Sequence, residues 1–267
     1  MNIIVENATF SYDGEHPVIK NISISLGKEQ TAIIGQNGAG KTTFMRLLNN
    51  THQVNSGSIT IDGIPVESQP LSSWAKRIGY VFQNPKDQLF HETVYKEIEF
   101  GLRKKVHTEA EKKKRVEEIA EFIGLQEFLD HHPLEMAYSR QKLITLASIL
   151  TTDPELILLD EPTAGQDWKE IEHFETVIRE LGMQGKKFIT ISHDMNFVAR
   201  NFSRVVVFCN GEILIDGTTK EVFSQSELIR KSFVESPVPV LVSQDLQMDD
   251  CPLTLAEFRD SYKRSLK

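Results

Sequence analysis

Residues 35–43 read Gly35, Gln36, Asn37, Gly38, Ala39, Gly40, Lys41, Thr42 and Thr43, directly after the apolar run Thr31 to Ile34 and directly before the helical run Phe44 to Leu48. A strand that ends in a glycine-rich turn and opens at once into a helix gathers backbone N–H groups around one concavity at the positive end of the helix dipole. The spacing matches G-x-x-x-x-G-K-[ST] and predicts a phosphate-binding loop. In such a loop the glycines let the backbone wrap the phosphates, Lys41 reaches the β and γ phosphates, and the Thr42 hydroxyl is a ligand for Mg2+.

The rest of the chain supplies the setting such a loop needs. Short apolar runs at Thr31 to Ile34, Leu156 to Leu159, Phe188 to Ser192 and Arg204 to Phe208 alternate with amphipathic segments, which predicts an α/β domain with a largely parallel sheet. The run Leu156 to Pro162 reads LILLDEP. A carboxylate at the end of a strand beside a phosphate site organises the metal, a role that falls to Asp160. Glu161, next in line, is placed to take a proton from attacking water as a general base.

With 267 residues, 40% of them hydrophobic and 25% charged, the chain can bury a substantial core. A formal net charge of -8 argues against a nucleic-acid partner, because phosphate contacts need clustered Lys and Arg. The main basic run, Lys112 to Arg115, lies among glutamates on an expected helix and reads as a solvated face. Cys209 and Cys251 lack metal-ligand spacing and suit a reducing compartment. No apolar stretch is long enough to cross a bilayer, and the amino terminus does not read as a secretory signal.

Thr108 and Glu111 form a capping box, Val116, Ile119 and Ile123 recur at helical spacing, and Gly124 offers a stop, so a helix is expected over 109–123. Beyond residue 226 comes a Pro- and Val-containing stretch, Pro237 to Val242. A short amphipathic helix follows, capped by Thr254 and Glu257, whose stripe of Leu255, Phe258 and Tyr262 is expected to pack on the core or else to form a dimer contact.

These residues resemble the ABC ATPase family over nearly the whole chain. The resemblance implies a P-loop NTPase (RecA-like) α/β core with an ABC β-subdomain, an inserted helical subdomain and a small carboxy-terminal extension. It implies boundaries at 1–83 and 151–225 for the two parts of the core, 84–150 for the helical subdomain and 226–267 for the extension. Tyr12, in FSYDG before the Thr31 to Ile34 run, is similar to the A-loop aromatic that stacks on adenine. Gln83, after the apolar run Ile78 to Phe82, resembles the Q-loop glutamine that links the metal site to a membrane subunit. Asp167 resembles the D-loop acid, and His193 the switch histidine that contacts the γ phosphate.

The segments QNPKDQLF at Gln83 to Phe90, TVYKEIEFGL at Thr93 to Leu102 and PLTLAEF at Pro252 to Phe258 are similar to the energy-coupling factor ATPases, which power prokaryotic vitamin and metal uptake. That implies ATP and Mg2+ as ligands and a peripheral place on the cytoplasmic face of the cell membrane. It also implies a transmembrane permease, a second ATPase subunit and a separate substrate-binding membrane subunit as partners. A soluble ABC protein outside transport, or a nucleotide-binding regulator, is the alternative.

One motif departs from the family. ABC ATPases carry LSGGQ at a helix amino terminus, and an ungapped register counted back from Asp160 places Met136, Ala137, Tyr138, Ser139 and Arg140 there. A one-residue shift aligns Gln141 instead, and no shift restores the paired glycines. Ala137 has no hydroxyl to donate, and Tyr138 adds a side chain where backbone must approach phosphate closely. Arg140 offers a charge-assisted donor in partial compensation. Because the family's composite sites take signature groups from the opposite subunit, the altered signature implies an asymmetric heterodimer in which this chain's own site works with a partner's intact motif.

Overall fold

The computed structural model describes residues 1–104 and 108–265. In chain order the elements are β1 (Ile3–Ser11), β2 (Pro17–Leu26), β3 (Thr31–Gly35), α1 (Lys41–Leu48), β4 (Ser56–Ile61), β5 (Ile64–Pro65), α2 (Leu71–Trp74), β6 (Ile78–Val81), α3 (Val94–Glu99) and α4 (Glu109–Ile123). There follow α5 (Tyr138–Leu150), β7 (Leu156–Asp160), α6 (Trp168–Met183), β8 (Lys187–Ile191), α7 (Met195–Asn201), β9 (Arg204–Cys209), β10 (Glu212–Thr218), α8 (Thr219–Ser224), α9 (Ser226–Arg230), α10 (Val238–Asp245) and α11 (Leu255–Ser265). Two compact units result, Met1–Leu71 with Ile189–Lys267, and Ser72–Phe188.

In the first unit, β2, β1, β4 and β5 pair in that order as an antiparallel sheet. β1 turns Ile3, Val5, Ala8 and Phe10 inward. Its pairing with β2 is broken by register shifts, and Asn7 there takes a left-handed φ of 48°. The second sheet of this unit sets β3 parallel to β9 and to the carboxyl end of β8, with β10 antiparallel on β9. All five residues of β3 are buried, as expected of a strand covered on both faces.

The second unit pairs β6 and β7 in parallel, from Ile78 against Leu156 to Val81 against Leu159, and packs α5 against β6. α4 begins and ends as expected: Thr108 and Glu111 close the capping box, and Gly124 stops the helix at φ 81°. Lys113, Lys114 and Arg115 lie on its exposed face and pair with Glu117 and Glu118. Among the described residues no helix is long and apolar enough to cross a membrane, and no cluster of His, Cys, Asp or Glu could hold a metal ion by itself.

One expectation is extended here and one is narrowed. The four expected strands are present, and β1, β2, β4, β5, β6 and β10 add to them. The stripe on α11 does not pack into the core, because Leu255 is 73% and Tyr262 41% exposed. The helix is tied down instead by its polar face. Asp250 accepts from Lys220 Nζ at 2.7 Å and from Ser261 Oγ at 3.1 Å. The capping box at its start is also partial: Thr254 Oγ1 accepts from Glu257 N, while the Glu257 carboxylate accepts from Leu253 N.

Candidate functional site

In the first unit the glycine-rich loop leaves β3 at Gly35, whose φ is 144° and whose added Cβ would lie 2.2 Å from the Phe208 carbonyl oxygen. No side chain fits there, so the close pairing of β3 with β9 dictates glycine. Gly40, at φ 96°, is the N-cap of α1, and a Cβ there would meet the Val18 carbonyl oxygen at 2.8 Å. The loop is bound to its surroundings by Gln36 Nε2 donating to Asn210 Oδ1 at 3.0 Å and Gly211 N donating to the Ala39 carbonyl at 3.2 Å. Asn37 and Gly38 form its exposed tip.

Lys41 is buried and curls back over the loop, its Nζ donating to the carbonyls of Gly35 at 2.6 Å and Gln36 at 2.9 Å. These contacts fold the ammonium back onto the backbone of the loop itself. Thr42 is half-buried at the start of α1, and the neighbouring Thr43 hydroxyl lies 3.0 Å from Tyr12 Oη. Tyr12, 59% exposed, directly follows β1 and packs edge-on against Phe10 and His52. The aromatic residue is therefore anchored to the first turn of the phosphate-loop helix, a contact that sequence spacing did not suggest.

His193 lies two residues past β8 and is exposed. Since Ile33 pairs with Ile191, Gly35 and His193 leave the carboxyl ends of adjacent parallel strands. Asp194 then caps α7 through Phe197 N at 2.9 Å, which fixes where the chain turns after His193.

In the second unit β7 delivers a buried Asp160, whose Oδ2 accepts from Tyr80 Oη at 2.9 Å. Glu161 follows it, also buried, with a left-handed φ of 49°. Gln83 lies exposed beyond β6, and its main-chain carbonyl accepts from Tyr138 Oη at 2.9 Å. Because Val81 pairs with Leu159, Gln83 and Glu161 emerge past the same edge of this strand pair.

The segment at the signature position starts α5. Ala137 occupies its N-cap without a side-chain hydrogen bond, and Ser139 Oγ donates to Glu170 Oε1. The Arg140 guanidinium stacks over the Phe128 ring with 4.1 Å between Cζ and centroid, so its planar face is already engaged within the chain. One turn on, Lys142 is fully buried and its Nζ donates to the Glu161 carbonyl. Burial pushes the lysine down to about 8, against the opposing pull of the Glu161 and Asp160 carboxylates. Asp167 caps α6 in a reciprocal box with Glu170, and the Trp168 ring beside it is 62% exposed.

Sequence reading thus placed the loop, Asp160, Glu161, Gln83 and His193 at strand ends, but it missed Tyr80 and Lys142. A lysine inside the apolar helix sequence QKLITLASIL was the one available signal for the latter.

The family model for ABC transporters matches residues 19–164. A protein provisionally named as an ABC transporter ATP-binding protein in Methanosarcina mazei is 36% identical over 263 residues, covering 97% of this chain and 45% of that one. A relative with a similar provisional name in Pyrococcus furiosus is 35% identical over 221 residues, covering 83% and 85%. The chain therefore spans less than half the length of the Methanosarcina relative and most of the Pyrococcus one. Among solved structures, cbiO1 of Clostridium perfringens, part of the ABC transporter complex cbiONQ, superposes with a TM-score of 0.78 at 30% identity, over 86% of this chain and 93% of that one. The chain belongs to the ABC transporter family and carries its ATP-binding domain, a P-loop α/β core with a helical subdomain.

Proposed function

We propose that this chain hydrolyses ATP to drive an uptake transporter of the energy-coupling factor type, with a vitamin or metal ion as cargo, from the cytoplasmic face of a prokaryotic membrane. The observation that carries the reading is the similarity to cbiO1 over 86% of the chain. Its partners are a transmembrane permease, a separate substrate-binding membrane subunit and a second ATPase whose signature motif is intact.

Each residue has a task in this reading. Tyr12 stacks on adenine. The backbone of Gly35 to Gly40 and the Lys41 ammonium bind the phosphates, and Lys41 exchanges its two carbonyl contacts for phosphate oxygens. Thr42, Asp160 and Gln83 offer only oxygen donors, which suits a hard cation such as Mg2+. When bound, Mg2+ supplies charge neutralisation on the phosphates. Glu161 takes the proton of the attacking water and His193 donates toward the γ phosphate.

The replaced signature supports pairing with a different ATPase. Tyr138 and Arg140 are occupied within their own unit, by Gln83 and Phe128, where the family presents bare backbone to a partner's nucleotide. The test is purification of tagged chain from gently solubilised native membranes. Recovery with a signature-intact ATPase and membrane subunits is expected. A homodimer free of membrane subunits that turns over ATP at ordinary transporter rates overturns the reading.

A further inference from the structure

The buried lysine of α5 has no task among the roles above. Lys142 sits on the helix that opens at the altered signature, one turn beyond Tyr138, and its ammonium lies 5.5 Å from the Tyr138 ring centroid. Its Nζ donates to the main-chain carbonyl of Glu161, nineteen positions away in the chain. Tyr138 holds the Gln83 carbonyl from the same helix. One face of α5 therefore grips both the Gln83 turn and the Glu161 turn.

Glu161 needs such a grip. A non-glycine residue at φ 49° is in a sparsely populated conformation, which persists only where its surroundings determine it. The φ of Glu161 sets the direction in which its carboxylate leaves the backbone, and the peptide carbonyl held by Lys142 is the adjacent group. Burying an ammonium is unfavourable, and burial indeed pulls this one down to about 8. Leu143, Ile144 and Leu146, which follow it on α5, are buried and apolar, so Leu or Met at 142 would serve packing alone at lower cost.

We propose that Lys142 is a positioning residue for hydrolysis, fixing the Glu161 turn from the signature helix so that the Glu161 carboxylate is aimed at the attacking water. This rests on the reading of Glu161 as the general base. Through Lys142, the helix that begins at the altered signature bears on its own chain's catalytic turn.

The experiment uses the full chain with the subunits that co-purify with it and compares K142M, K142R and E161Q for turnover, nucleotide affinity and Tm. K142M follows the lysine side chain as far as Cε, one atom short of Nζ, and removes donor and charge. It is expected to lower kcat by about tenfold with nucleotide affinity and Tm held, while K142R restores turnover to within about threefold of wild type. Turnover of K142M within about twofold of wild type, beside an inactive E161Q, overturns the proposal. So does a fall in Tm with kcat retained, which marks a structural lysine, or a K142R as slow as K142M. If K142M does not fold, K142R alone decides: wild-type-like turnover upholds the proposal, and loss of turnover with affinity intact overturns it. If E161Q itself turns over normally, the general-base assignment fails first and takes the positioning role with it.

Discussion

The Tyr80 hydroxyl donates to Asp160 Oδ2 at 2.9 Å, so the strand β6 orients the carboxylate that its parallel neighbour β7 delivers. A buried carboxylate that loses one charge-assisted donor loses about 1.5–3 kcal/mol of support. In Y80F the Mg2+ concentration needed for half-maximal ATP turnover is expected to rise several-fold, with binding of metal-free ATP unchanged. A titration of turnover against Mg2+ reads this directly, and an unshifted midpoint removes Tyr80 from the site.

Glu161→Gln keeps the volume and the left-handed turn while removing the proton acceptor. Turnover is expected to fall by about 100-fold or more, the usual contribution of a positioned base, with ATP affinity retained. Steady-state hydrolysis beside equilibrium nucleotide binding checks the split. Equal losses in both would show that Glu161 shapes the site and does not act on water.

Tyr12 has two separable attachments, its ring and its bond to Thr43. Y12A is expected to weaken nucleotide binding by about 1 kcal/mol, or about fivefold, within the range of aromatic stacking, with kcat at saturation little changed. Y12F keeps the ring and is expected to keep the affinity. If Y12A and Y12F weaken binding equally, the hydroxyl anchor on α1 matters and stacking does not.

At the carboxy terminus, the Lys220 ammonium, then the Ser261 hydroxyl and the Cys251 N–H, hold the Asp250 carboxyl below its ordinary value. A carboxylate depressed in the folded state contributes stability above its unfolded pKa of about 3.9, and that contribution is lost as pH falls through the folded value. Amide protection of α11 is therefore expected to decline below about pH 4 ahead of the buried strands. D250N should show the same loosening at neutral pH. Hydrogen exchange over 255–265 that does not respond to D250N would show that other contacts seat the helix.

How much was legible follows from where each residue lies. β3, β7, β8 and β9 are almost wholly buried and therefore read as continuous apolar runs. β1 and β2 alternate between core and solvent and are interrupted by bulges, which breaks the period that a sequence reading needs. α4 announced itself through Thr108, Glu111 and Gly124, a purely local signal. The bonds Tyr138 to Gln83 and Lys142 to Glu161 join residues far apart in the chain, and no local pattern encodes them. The α11 stripe left two readings open because amphipathic spacing says that an apolar face exists and not what covers it.

The two tryptophans, both in the second unit, give the protein a built-in optical reporter. Trp74 is 2% exposed, whereas Trp168, beside the cap of α6, is 62% exposed. Its indole thus supplies the red-shifted, readily quenched part of the emission, and the Trp74 indole the blue part that iodide cannot reach. Any partner or nucleotide-driven closure that covers the turn at Asp167 shortens the emission wavelength and slows quenching, and W168F strips that response while leaving a constant background.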